Sequence, residues 1–161
     1  VRLEAIRTEI AETGRELEAA RLLQGTSGNL SVRDPRSGSV AITPSGVPYR
    51  STGPADVLLV GAGGDVEEGE HRPSSELSMH LAIYRDRPDV GAVVHTHSPW
   101  ATTWAVLGRE IPAVHYVIAP IGDVVRVAPY ATYGTAELAA YVVGTLGADN
   151  GVLLASHGVV T

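Results

Sequence analysis

His95 and His97 stand two residues apart just after the apolar run 90–94, and His157 follows a second apolar run, 151–155. In a strand, residues i and i+2 point to one side with Cα atoms roughly 6.6 Å apart, so two imidazoles there can meet on one ion at about 2.0 to 2.1 Å. A third imidazole would complete a trio and leave a position open for substrate, as a catalytic zinc needs. A His-x-His pair alone is equally at home on a solvated strand end. The third histidine and the carboxylate of Glu76, at a helix start between these segments, argue for a metal site. His80, one helical turn from Glu76, is the rival ligand but reads as a hydrogen-bonded helix histidine outside the coordination shell. His71 and His115 read as structural.

Glu76 also fits a plain role, because the helix dipole favours a carboxylate in the first turn. Its neighbours widen the reading. Ser74 and Ser75 bring hydroxyls and free amides to the same helix end, a ready anion site, and Gly28-Asn29 and Ser45-Gly46 add loop amides of the kind that cradle phosphate. Each loop taken singly is ordinary turn chemistry. Convergence on one pocket would make them a phosphate site.

Composition narrows the partner. A net charge of -6, with 12 Arg and no Lys, gives neither the basic stripe of a nucleic-acid binder nor a polybasic membrane patch, so a small molecule is the expected partner. No apolar stretch reaches spanning length and the opening residues lack a signal-peptide core, which reads as a cytoplasmic protein; absent cysteines agree. Without lysine, no imine can form with a carbonyl substrate, and Schiff-base chemistry is excluded. No His-Glu-x-x-His helix of a zinc hydrolase is present.

The elements that must position these residues follow from periodicity. Leu3, Ile6, Ile10, Thr13 and Leu17 predict an amphipathic helix over 2–22. Turn formers at 24–29 open into a strand at 30–32, a turn at 34–38 and a return strand at 40–42. A buried strand is predicted at 57–60. A helix begins at Ser74 or Ser75 and stops near Pro88, a strand runs over 90–94, and Pro99 opens a helix ending at Gly108. Strand 124–127, helix 135–146 and strand 152–155, which delivers His157, complete one domain over 1–161.

The segments Gly25-Thr26-Ser27-Gly28-Asn29-Leu30-Ser31, Thr43-Pro44-Ser45-Gly46, Pro73-Ser74-Ser75-Glu76, His95-Thr96-His97-Ser98 and Ser156-His157-Gly158-Val159, in this order, resemble the zinc-dependent class II aldolase family. The stretches 111–116 and 128–135, and Glu rather than Asp at 76, look most like its fuculose-phosphate aldolase branch. The resemblance implies an α/β fold, a three-layer α/β/α domain around a central mixed, largely antiparallel sheet. It implies a homotetramer with active sites at subunit interfaces. Zn2+ would be held by His95, His97 and His157, and the substrate phosphate by Gly28, Asn29, Thr43, Gly46, Ser74 and Ser75. Glu76 would be the acid/base and fill the fourth zinc position when substrate is absent, and Tyr116 would reach in from a neighbouring subunit. Members of the family continue past the motif at His157, so a further C-terminal helical portion is implied beyond Thr161.

The implied reaction is reversible cleavage of a ketose 1-phosphate, L-fuculose 1-phosphate or a similar sugar, into dihydroxyacetone phosphate and a small aldehyde such as L-lactaldehyde. The metal replaces the missing lysine as electron sink. Protonating the carbon next to the ketone requires Glu76 to have a pKa lifted toward neutrality by partial desolvation. A pentulose-5-phosphate 4-epimerase of the same family is the alternative, and an adducin-head-like binding domain, in which the zinc histidines are lost, is the second.

Overall fold

In the computed structural model, which describes residues 2–161, four helices cover the two faces of one eight-stranded sheet. The strands are β1 (Asn29–Arg33), β2 (Val40–Ile42), β3 (Leu58–Val60), β4 (Val66–Glu68), β5 (Ala92–Thr96), β6 (Arg126–Ala128), β7 (Val152–Leu154) and β8 (Gly158–Val160). Their order is β4-β3-β2-β1-β5-β8-β7-β6. Every pair is antiparallel except β6 with β7, so the sheet is mixed and largely antiparallel, as the resemblance implies.

Alternation along the strands divides the core. Val40, Ile42, Leu58, Val60, Val93, Val152, Leu154 and Val160 face α2 (Leu77–Asp86) and α4 (Ala136–Leu146), packing on Met79, Ile83, Leu138 and Val142. On the other face Leu30, Ala41 and Leu59 pack on Ile10 and Ala11 of α1 (Glu4–Ala19), and Leu153 packs on Ala105 of α3 (Pro99–Val106). This burial of apolar side chains on both faces, at about 25 cal/mol per Å² removed from water, is what holds the layers together.

Several boundaries depart from the sequence reading, each for a local reason. Helix α1 is shorter than 2–22 because Leu3 and Arg21 take left-handed φ of 54° and 61°. Helix α2 starts at Leu77, not at Ser74 or Ser75, because the Ser74 amide donates to the Thr43 carbonyl at 3.1 Å and holds that segment extended. Strand β5 lies two residues later than 90–94, since pairing with β1 matches Asn29 to His95 and Ser31 to Val93. His95 therefore sits within the strand. Strands β4 and β8 were not expected: β4 is a polar, partly exposed edge, and β8 follows β7 after a three-residue turn that holds His157.

Close approach of β8 to β5 depends on Gly158. A Cβ there would lie 2.5 Å from the Thr96 carbonyl oxygen, 3.0 Å from His97 Cδ2 and 3.2 Å from His95 Cε1. Gly158→Ala is expected to lower the free energy of unfolding in urea by about 1 to 3 kcal/mol, and to weaken divalent-ion binding at the adjacent histidines.

Candidate metal centre and anion pocket

His95, at the end of β5, is fully buried, His97 follows the strand, and His157 comes from the turn between β7 and β8. Antiparallel pairing of β5 with β8 (His95 to Val160, Thr96 to Val159) brings these distant segments together. The three rings sit edge to face with centroids 4.8 to 5.0 Å apart. One nitrogen from each lies within 4.8 Å of the others. The His95 and His97 Nε2 atoms are 3.0 Å apart, near the roughly 3.3 Å separation expected of two nitrogens on one tetrahedral zinc.

The protons argue for a cation here. His95 Nδ1 is 3.0 Å from the Val159 carbonyl oxygen, which can only accept, so Nδ1 carries the hydrogen and Nε2 of the neutral ring is a lone pair. That bond fixes the tautomer and aims Nε2 inward, as a partner behind a ligating histidine does. Nε2 also lies 3.2 Å from Glu76 Oε2, and His157 Nε2 lies 3.6 Å from Glu76 Oε1. Glu76 Oε1 is buried with no hydrogen-bond partner. Lone pairs and a carboxylate converging on one buried point repel unless a positive charge stands among them, so the donor set fits a divalent ion held by the trio, with Glu76 beside it.

The expectation of a raised Glu76 pKa is not met in this arrangement. Burial does push the carboxyl up, but positive charge at His95 beside it, the Asn29 amide and positive charge at His157 outweigh it and bring it down to about 2; with those rings neutral, a cation among them is what would supply that charge. Those groups lie on β1, on β5 and in the turn between β7 and β8, and could not be read from the residues flanking Glu76. His97 is lowered to about 4 by burial and its histidine neighbours, and His157 is lowered for the same reasons, which keeps both free of protons near neutrality.

A cavity of about 280 Å³ opens beside the trio, lined by Gly28, Asn29, Gly46, Ser74, Ser75 and Glu76 together with His97 and His157. The three loops singled out in the sequence therefore do converge. Gly28 takes φ +77°, and a Cβ there would stand 2.6 Å from the His95 carbonyl oxygen, so only glycine lets this loop pack against β5. Thr43 is placed behind the cavity: it is buried, and its hydroxyl accepts from the Leu30 amide at 3.1 Å. Thr26, Ser27, Ser45 and Tyr133 also line the cavity; all four sit in segments already noted, though Tyr133 was not singled out within the stretch 128–135. Tyr116 lies away from the trio, 83% exposed in a 3-10 turn and stacked on His115.

Behind Glu76 runs a buried polar stripe. Glu76, His80 and Tyr84 are spaced by four along α2 and its cap, about 6.0 Å apart, while Asn29, Ser31 and Arg33 are spaced by two along β1, about 6.6 Å apart. The periods match. Asn29 Nδ2 donates to Glu76 Oε2 at 3.0 Å, Ser31 Oγ lies 2.6 Å from His80 Nδ1, and Arg33 packs over the Tyr84 ring. His80 is thus hydrogen-bonded and outside the trio, as expected from sequence, though fully buried.

Over residues 8–161 the chain matches the class II aldolase and adducin N-terminal domain family, and it belongs to that family. It is 48% identical over 158 residues to the 5-deoxy-D-ribulose 1-phosphate aldolase of Bacillus thuringiensis, covering 98% of this chain and 74% of that protein. With the L-fuculose phosphate aldolase of Escherichia coli it shares 41% identity over 153 residues, 94% of this chain and 70% of the other. A solved L-fuculose 1-phosphate aldolase superposes with a TM-score of 0.95 at 43% identity, covering 98% of this chain and 74% of that one. Aldolase chemistry, a lyase activity on sugar phosphates, is the class of reaction that family, fold and relatives support together. No helix among the described residues is long and apolar enough to cross a membrane.

Two outcomes are expected. A divalent transition ion at a hundred times its Kd should stabilise the fold by about 2.7 kcal/mol, read as a rise in the thermal midpoint, and His97→Ala should remove that rise. Separately, burial and then the charge of His95 push His80 from 6.5 down to about 3. The unfolded chain therefore takes up a proton below pH 6.5 that the folded chain refuses, so this stability is complete above pH 6.5 and is lost as pH falls toward 3. Relative to wild type, His80→Gln should flatten unfolding free energy against pH between 5 and 6 by up to one proton, about 1.4 kcal/mol per pH unit.

Proposed function

We propose that this protein is a zinc-dependent aldolase that reversibly cleaves a ketose 1-phosphate to dihydroxyacetone phosphate and a small aldehyde. The observation that carries this reading is the histidine trio itself, two of whose members, His97 and His157, stand with Glu76 at the wall of a cavity built from anion-type loops. His95, His97 and His157 would hold the ion. When bound, it supplies Lewis acidity toward the carbonyl and adjacent hydroxyl of the sugar, the role that lysine fills in imine aldolases.

The remaining work falls to the chain itself. Gly28, Asn29, Gly46, Ser74 and Ser75, with Thr43 bracing them from behind, bind the phosphate and hold the reacting carbons beside the histidines, which converts remote binding into orientation. Glu76 moves the proton at the carbon next to the ketone. Away from the ring nitrogens, the burial that already pushes its pKa up acts unopposed, which suits a proton donor. Tyr116 serves the hydroxyl whose proton leaves as the aldehyde forms, reaching in from a neighbouring copy. The exposed Trp100, Val106, Leu107, Val114, Tyr116 and Val117 support burial against other copies of the chain, an assembly we assign as a homotetramer. A cysteine-free, acidic chain suits the cytoplasm.

L-fuculose 1-phosphate and 5-deoxy-D-ribulose 1-phosphate are the leading substrates, the second on the strength of the 48% identical relative. An epimerase would retain its aldehyde, whereas an aldolase releases it. The decisive assay incubates zinc-loaded protein with both sugars and other ketose 1-phosphates and follows dihydroxyacetone phosphate. Its formation is expected to stop on chelation and resume on adding zinc, and Glu76→Gln should lower kcat by about 10² to 10⁴. Absence of product from every ketose 1-phosphate would overturn the proposal.

A further inference from the structure

We infer that His80 is a positioning residue that holds the side-chain amide of Asn29 in one of its two flips, so that the NH2 group faces Glu76 and the cavity. Building on the roles proposed above for Glu76 and Asn29, this adds a residue that touches neither metal nor substrate.

The directions of the bonds are set by what each atom can do. The Glu76 carboxylate only accepts, so the group 3.0 Å from it must be the Asn29 NH2. The Asn29 carbonyl oxygen then points the other way, 2.5 Å from His80 Nε2, and since it also only accepts, His80 must donate from Nε2. Nδ1 of the neutral ring is left as the acceptor and takes the Ser31 hydroxyl at 2.6 Å. Ser31 Oγ lies 2.8 Å from the Tyr84 hydroxyl, which also reaches the Ser31 carbonyl at 3.0 Å. All four side chains behind Glu76 are buried, so each bond has no water to replace it.

The alternative flip shows what the arrangement excludes. With the amide reversed, its oxygen would face the Glu76 carboxylate and the cavity where an anion is proposed to sit. That arrangement requires the Nδ1–H tautomer of His80. The imidazole tautomer and the Asn29 flip are therefore one coupled choice, and the Nε2–H form presents donors to both anionic groups. A helix histidine four residues from Glu76 can do this only because α2 and β1 share a repeat.

Two variants separate positioning from simple packing. Asparagine places its amide near the Nδ1 position of histidine, and glutamine near the Nε2 position, so H80Q retains a donor toward Asn29 and H80N does not. In zinc-loaded full chain, H80N is expected to lose roughly 10- to 100-fold in kcat, the range seen when groups behind a metal-site residue are removed. Zinc stoichiometry should stay at wild type, and H80Q should stay within about threefold of it. A packing role would lower the thermal midpoint and activity alike in both. Long-range 15N–1H spectra of the wild type should show His80 as the Nε2–H tautomer, a measurement that needs neither variant. Equal kcat values in H80N and H80Q, or an Nδ1–H tautomer, would overturn the inference. If the wild type yields no dihydroxyacetone phosphate, the proposed function fails instead, while the tautomer still decides this point.

Discussion

Imidazole lone pairs and a carboxylate cannot share a buried point without a positive charge among them, and that constraint organises this molecule. The Val159 carbonyl turns His95 Nε2 inward, the turn after β7 aims His157 at the same place, and burial keeps His97 and His157 unprotonated. Each of these choices would be unfavourable alone. Together they describe a socket prepared for a cation, and the depressed pKa of Glu76 is the same attraction seen from the carboxylate.

The scaffold that supports the socket is a matter of matching periods. Antiparallel pairing sets Asn29 opposite His95, so the Gly28 loop that opens β1 lies beside the end of β5, where His95 and His97 stand. The four-residue repeat of α2 then tracks the two-residue repeat of β1, which lets Glu76, His80 and Tyr84 each meet a polar partner on the sheet. Polar groups inside a core are tolerated when their partners are met, and here Asn29, Ser31, His80 and Tyr84 meet one another in a line that ends at Glu76, whose Oε1 is left without a hydrogen bond at the site.

Much of this was legible in the residues. The histidine trio could be read because same-side spacing and apolar runs are local properties, and the three Gly and Ser loops because turn chemistry is local too. What escaped depended on partners far along the chain. The start of α2 was misplaced because the Ser74 amide bonds the Thr43 carbonyl, thirty-one residues earlier. The shift of the Glu76 pKa had the wrong sign because the groups that oppose burial arrive from β1, β5 and the turn after β7. Strand β4 has a polar, partly exposed sequence with no apolar run to mark it, and β8 follows β7 after only three residues and is defined by its pairing with β5 and β7 on either side. His80 could be separated from the ligands by spacing, but its connection to Asn29 required the sheet.

The ligands lie unevenly along the polypeptide: 60 residues separate His97 from His157 (157 − 97), and that excursion contains α3, the Tyr116 turn, β6 and α4. An ion shared by its two ends acts as a tether across the excursion, and clips that close long loops reduce the freedom of the unfolded chain most. Were the trio to hold an ion, its loss would return that freedom to the whole unfolded excursion, the Tyr116 turn included.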